Sequence, residues 1–281
     1  MVVFMNGDFM QMEKARISPE DRGFLFADGV YEVIRSYNGR LFQIDAHLRR
    51  LERSLKALRI GFSEVERLRE VSRQLIEENG LSSAQAIVYV QITRGAAPRL
   101  HRFPTEDVPA TVYACAYMLQ PHDDDMQNGT KIITVPDVRW SRCDIKSIAL
   151  LPNVLACQQA SEKGATEAVF IRNGAVTEGT RSNVFGVFHD QVMTAPRSNY
   201  ILTGVTRELV LGLCRKLNIP VREFPIFEGQ LQDAEELFIA GTVVEITPVV
   251  KVNDMQVRDG IPGPVTRKLQ NALRELVARV S

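Results

Sequence analysis

Arg142-Cys-Asp-Ile-Lys-Ser147 and Val176-Thr-Glu-Gly-Thr-Arg-Ser-Asn-Val-Phe185 are the two stretches on which the reading of this chain turns. Lys146 is followed by the apolar run Ile148-Ala-Leu-Leu-Pro152, which is expected to set its amine at the edge of a hydrophobic core. Burial there lowers an amine's pKa and makes it a nucleophile able to form a Schiff base. Glu178 ends an expected strand in a turn rich in Gly, Ser and Thr, where a carboxylate can be aimed at the ring nitrogen of a pyridine cofactor. Together the two residues suggest pyridoxal 5′-phosphate. Taken singly, they also read as a solvated lysine and an ordinary turn glutamate.

The bulk of the chain is that of a globular protein. At 281 residues and 45% hydrophobic content it can bury a substantial core in one large or two modest domains. Basic and acidic residues balance at 34 each, so the charge footprint of a nucleic-acid binder is missing and no nucleic-acid partner is expected. Met1-Val-Val-Phe-Met-Asn-Gly7 turns polar too soon for a signal peptide or a membrane span, which predicts a cytoplasmic protein without a membrane partner. Cys115, Cys143, Cys157 and Cys214 lack CxxC spacing and read as thiols, not as a disulfide frame or a metal site.

Local patterns predict an α+β first domain over residues 1–119. Asn6-Gly7 and Asn38-Gly39 mark hairpins, and alternation along Val30–Tyr37 puts Tyr31, Val33 and Arg35 on one face and Glu32, Ile34 and Ser36 on the other. Tyr31 can thus point into a cavity. Asp45 is expected to cap a helix running to Arg59 with Leu48, Leu51, Leu55 and Leu58 as its core stripe, and a second helix is expected from Ser63 to Asn79. Strands follow over residues 86–93 and 110–119. The polar segment 120–125 reads as a linker, and residues 126–281 as a larger second domain carrying Lys146. In that domain a strand at 131–135, a helix at 151–163, a strand meander over 167–195, a helix at 206–217, a strand at 237–240 and a helix at 264–280 are expected.

Two further segments bear on chemistry. Leu202-Thr-Gly-Val-Thr-Arg-Glu-Leu209 puts Gly204 before a helix, so the amides of Val205 and Thr206, with the Thr206 hydroxyl, can receive a phosphate; a plain Thr-capped helix start fits the same residues. Arg49-Arg50 offers a guanidinium clamp or a solvated pair. Thr93-Arg-Gly-Ala-Ala-Pro-Arg-Leu-His-Arg-Phe-Pro104 gathers Arg94, Arg99, His101 and Arg102 in one loop, suited to trapping a carboxylate or simply to facing solvent.

The wording of these segments resembles fold-type-IV pyridoxal-phosphate enzymes, and within them most nearly the D-amino-acid aminotransferases. The likeness spans nearly the whole chain, through EDRGFLFADGVYEVIRSYNG, TRGAAPRLHRFP, RCDIKS, TEGTRSNVFGV, LTGVTRELV and EITPV. It implies a small N-terminal α/β domain, a larger C-terminal one, the cofactor at their junction, and a homodimer. It selects Arg50 over Arg49 as a phosphate ligand, adds Thr242 as another, and packs Leu202 on the pyridine ring. It also assigns Tyr31, Arg99 and His101 to the substrate carboxylate. The implied reaction moves the amino group of D-alanine or D-glutamate to 2-oxoglutarate or pyruvate. Arg181, Gly241 and Ala96-Ala97 depart from the family pattern. Competing activities on the same fold are a branched-chain L-aminotransferase, an aminodeoxychorismate lyase and a non-catalytic anion-binding protein.

Overall fold

A computed structural model describes all residues except Glu106, Pro121, His122, Val280 and Ser281. It divides into two compact units, Met1–Pro121 with Ile145–Ala149, and His122–Asp144 with Leu150–Arg279. Lys146 was expected in the second domain, but it belongs to the first unit. The physical reason is hydrogen bonding along an open strand edge, described below.

The first unit contains β1 (Val2–Met5), β2 (Asp8–Gln11), α1 (Arg22–Phe26), β3 (Gly29–Tyr37), β4 (Arg40–Leu41), α2 (Ile44–Leu58), α3 (Arg67–Glu78), β5 (Gln85–Thr93) and β6 (Thr111–Met118). Its six strands form one antiparallel sheet in the order β2-β1-β6-β5-β3-β4. Period-two alternation sends Val30, Ile34, Val88, Val90 and Val112 into a core with Leu48, Leu51 and Leu55 of α2 and Leu68, Val71 and Leu75 of α3. Tyr31, Tyr89, Gln91 and Tyr113 fall on the opposite face.

Both helix starts differ from expectation. Gln43, in a left-handed conformation, precedes α2, and Asp45 lies in the first turn, paired with Arg69. The second helix begins at Arg67, four residues after Ser63, because residues 63–64 have no regular structure and 65–66 form a turn first.

The second unit contains α4 (Asp123–Asn128), β7 (Thr130–Pro136), α5 (Leu151–Glu162), β8 (Glu167–Arg172), β9 (Ala175–Gly179), β10 (Asn183–Phe188), β11 (Gln191–Thr194), α6 (Val205–Lys216), β12 (Val221–Glu223), β13 (Glu236–Gly241), β14 (Glu245–Val252), β15 (Met255–Gln256) and α7 (Pro264–Ala278). The expected linker is partly helical: Pro121 and His122 lie outside the described residues, while Asp123, Asp124 and Asp125 open α4, where acidic residues favour the helix dipole. The sheet runs β12-β11-β10-β13-β14-β7-β8-β9, with β15 on β14. Parallel neighbours need a long crossover, and helices supply it: α5 between β7 and β8, α6 between β11 and β12. Val280, expected in the last helix, lies outside the described residues.

Leu75 is fully buried in the first core. Replacing it with alanine should lower the unfolding free energy by about 2–5 kcal/mol. Denaturant titration followed by circular dichroism measures this, and a loss under about 1 kcal/mol would mean the core is not packed around α3.

Candidate active site

The segment carrying Lys146 attaches to the sheet of the first unit. β4 pairs only with the far end of β3, so residues 29–31 present an open edge, which residues 146–148 fill. The Tyr31 amide donates to the Lys146 carbonyl at 3.0 Å and the Ile148 amide to the Gly29 carbonyl at 3.1 Å. Gly29 permits the approach, because a Cβ there would stand 2.8 Å from the Ile92 carbonyl oxygen and 2.9 Å from Ile148. The Lys146 amide also donates to Ser54 Oγ on α2 at 3.2 Å. The apolar run after Lys146 is not its cover: Ile145 is the residue buried in the core, while Ala149 is exposed and Leu151 is 69% exposed. The side chain of Lys146 turns toward Tyr31, with Nζ 4.2 Å from the ring centroid.

Arg50 is buried and Arg49 exposed, so the helix itself distinguishes the pair. Arg50 makes a two-pronged bond to Glu32, Nε to Oε1 at 2.7 Å and a terminal nitrogen to Oε2 at 2.8 Å. His47 Nδ1 donates to the same Oε2 at 2.8 Å. Burial opposes ionisation of Glu32, but Arg50 and His47 together hold its carboxyl well below the usual range. Burial likewise lowers the pKa of His47 against the pull of Glu32, and the charges of Arg50 and Lys146 add to that lowering. Glu32 and His47 were not among the expected site residues. The signal for Glu32 was present, since alternation puts a charged side chain between Val30 and Ile34 on the core face.

The basic loop separates into two classes. Arg94 is buried, bonded twice to Asp28 and donating to the carbonyls of Leu58 and Arg59, so it fastens the loop and is not available as a ligand. Arg99 and His101 are exposed side chains gathered on Phe26. Among the described residues, no hydrogen bond or ion pair joins them to Tyr31 or Lys146 in the single chain.

In the second unit Glu178 is buried, and its carboxylate is held from several sides. One oxygen accepts from Arg139; the other accepts from the Leu202 amide at 2.9 Å and Asn183 Nδ2 at 3.2 Å. Arg139 is itself fixed by two bonds of 2.9 Å to Asp137 and by the face of Phe170. Arg139 and Asp137 were missed from sequence because nothing local marks a partner of Arg139 that is 39 residues away, and Asn183 was missed although it lies near Glu178 in the chain. Asn183 also donates to the Leu202 carbonyl, and its side-chain oxygen leaves no room for a Cβ on Gly204, which would approach to 2.2 Å. Gly204 therefore sets the start of α6, where Val205 and Thr206 occupy the first turn. This cradle, with a fixed carboxylate in the same unit, fits a phosphorylated pyridine.

The turn after Glu178 is tied to a second buried acid. Glu167 accepts from the Arg181 amide at 2.6 Å, Ser182 Oγ at 2.9 Å and Thr180 Oγ1 at 3.2 Å. The Arg181 side chain is exposed and donates to the Thr166 carbonyl, so its departure from the family pattern is accommodated at the surface. Gly241 lies against the same turn, 3.2 Å from the Arg181 carbonyl oxygen as measured from an added Cβ, and Thr242 follows in the bend before β14. Burial pushes the Cys143 thiol up to about 11, consistent with a packing role.

Because the Glu32 pKa is depressed in the folded chain, its stabilisation is complete above the unfolded glutamate value of about 4.3 and fades as pH falls below it. Glu32→Gln should cost about 3–5 kcal/mol at pH 7 by leaving Arg50 with a neutral partner. The gap between wild type and variant, followed by denaturant titration from pH 7 downward, should shrink below about pH 4. A gap independent of pH would show that the carboxylate charge is not what stabilises this cluster.

Comparison with known proteins accords with this geometry. The family model for class IV amino-transferases matches residues 29–252. A D-alanine aminotransferase of Staphylococcus haemolyticus is 41% identical over 276 residues, covering 98% of this chain and 97% of the relative. The structure of the Escherichia coli branched-chain amino acid aminotransferase superposes with a TM-score of 0.91 at 27% identity, covering 98% of this chain and 94% of that one. The branched-chain amino acid aminotransferase of Thermoproteus uzoniensis, solved with norvaline, gives 0.89 at 26% identity, covering 99% and 94%. An amine on a strand edge, a buried carboxylate locked by Arg139 and a glycine-opened helix start thus stand in a chain that belongs to the class IV aminotransferase family.

Proposed function

We propose that this chain transfers the amino group of a D-amino acid, D-alanine or D-glutamate, to 2-oxoglutarate or pyruvate, with pyridoxal 5′-phosphate as cofactor. The observation that carries the reading is the immobilised Glu178 carboxylate, and 41% identity to a D-alanine aminotransferase over 98% of this chain supports the D-substrate. When bound, pyridoxal phosphate supplies a conjugated, electron-withdrawing ring that accepts charge developing at the substrate α-carbon. Glu178, held by Arg139, Asn183 and the Leu202 amide, would hold a proton on the ring nitrogen. Lys146 is the amine that carries a proton to and from the α-carbon. Arg50, held by Glu32, together with the first turn of α6 at Val205 and Thr206 and with Thr242, is assigned to the phosphate; Leu202 is assigned to the ring face. Tyr31, Arg99 and His101 are assigned to the substrate carboxylate, whose fixed position decides which enantiomer turns its α-hydrogen to Lys146.

Purified enzyme should transaminate D-alanine with 2-oxoglutarate and leave L-alanine and L-leucine essentially untouched. Borohydride reduction followed by peptide mapping should label Lys146, and Lys146→Ala should lose nearly all turnover. Preference for L-leucine would replace the D-specific reading with a branched-chain one, pyruvate release without an acceptor would point to a lyase, and a label on another lysine would remove the central assignment.

We infer that the working form is a homodimer in the cytoplasm. Helix α5 leaves Leu151, Val154 and Leu155 each more than half exposed, and α2 and α3 cover only one face of the first unit's sheet, leaving tyrosines on the other. The four cysteines are free, as in a reducing compartment, and no helix among the described residues is long and apolar enough to cross a membrane. Sedimentation equilibrium should give twice the chain mass, and Leu151→Glu with Leu155→Glu should give the monomer; a monomeric wild type would reject the dimer.

A further inference from the structure

The loop of Arg99 and His101 is fastened by its backbone at two places, and its side chains meet on one ring. Arg22, at the start of α1, is neutralised by Asp28 at 2.9 Å and donates to the carbonyls of Leu100 at 2.7 Å and Arg102 at 3.4 Å. Arg94 grips Asp28 from the other side and lies 3.7 Å over the ring of Phe103. With the main chain held, the freedom that remains belongs to the long side chain of Arg99 and the ring of His101. Phe26, the last residue of α1, meets both: the Arg99 guanidinium carbon lies 5.2 Å from its ring centroid, and the His101 ring 5.5 Å away at 45°. Arg22 lies over the same ring at 4.9 Å.

The charges around this ring are unequal. Arg22 and Arg94 share the carboxylate of Asp28, whereas Arg99 has no carboxylate partner among the described residues. An aromatic face attracts a guanidinium through its quadrupole without neutralising it, so the cation keeps its capacity for an incoming anion while losing rotamers that would otherwise be frozen on binding.

We propose that Phe26 is a positioning residue for substrate: its ring pre-orders Arg99 and His101 as a receptor for the α-carboxylate of the amino acid and of the oxo acid. The proposal rests on the reading that these two residues bind that carboxylate. Phe26 itself holds the receptor in shape, so its loss should appear in binding and only slightly in the chemical step.

The test uses the cofactor-loaded enzyme, with Phe26→Leu, Phe26→Trp, Arg99→Leu and the double variant Phe26→Leu/Arg99→Leu. The readouts are KM and kcat for D-alanine, the inhibition constant of propionate as a bare carboxylate probe, and the thermal midpoint. Phe26→Leu should raise KM and the propionate constant by about 3- to 30-fold, the range of one cation–π contact, with kcat within about twofold. Phe26→Trp should restore both constants, and the double variant should bind no worse than Arg99→Leu alone, because the ring acts through that arginine. If Arg99→Leu binds both ligands as the wild type does, the carboxylate reading itself fails. If Arg99→Leu weakens binding but Phe26→Leu does not, or if the two losses add in full, the positioning role is rejected. A Phe26→Leu defect that Phe26→Trp leaves unrepaired, accompanied by a lowered thermal midpoint, reduces Phe26 to packing and also overturns the proposal.

Discussion

A carboxylate taken out of water survives as an anion only where donors replace the lost solvation. Glu32 in the first unit and Glu167 and Glu178 in the second are buried, and each has drawn its surroundings into place. Glu32 binds α2 to β3 through Arg50 and His47. Glu178 joins the end of β9 to Arg139 and to the backbone at Leu202. Glu167 closes the turn at 180–182. Because the donors are fixed by the fold, each acid is fixed as well, before any small molecule arrives. For Glu167, which gathers hydroxyls and an amide in place of a close guanidinium, burial prevails and the carboxyl is raised above its ordinary range.

The same rule sorts the arginines. Arg22, Arg94 and Arg139 are buried and share carboxylates, so their charge is already committed to architecture. Arg99 and Arg102 stand exposed in a loop whose backbone others hold. An overall balance of 34 basic and 34 acidic residues conceals this division. It emerges only from which guanidinium reaches which oxygen, and it explains how a loop rich in arginine can be held by its backbone while Arg99 and Arg102 stay exposed.

What sequence reveals here is local. The Asn38-Gly39 hairpin, the leucine stripe of α2 and the alternation that sets Tyr31 opposite Glu32 depend on neighbours within a few residues, and the structure has them as expected. The boundaries of α2 and α3 depend on backbone conformation at Gln43 and over 63–66, which composition does not specify. Lys146 and Glu178 were singled out because their segments resemble a known family, whereas Arg139 was not, because its meaning lies in Asp137 and Glu178 together. The membership of residues 145–149 in the first unit was equally hidden: five residues carry no periodicity, and their place is decided by a free strand edge far away in the chain.

That five-residue loan has a consequence for how the protein is made. Every strand of the first unit's sheet and both of its long helices precede Ile145 in the chain, so the edge of β3 at residues 29–31 has no partner until residues 145–149 have been made. Unpaired strand edges invite pairing with other chains. Residues 145–149 close that edge and bring Lys146 to it in the same act, so the edge is finished only when Lys146 is in position.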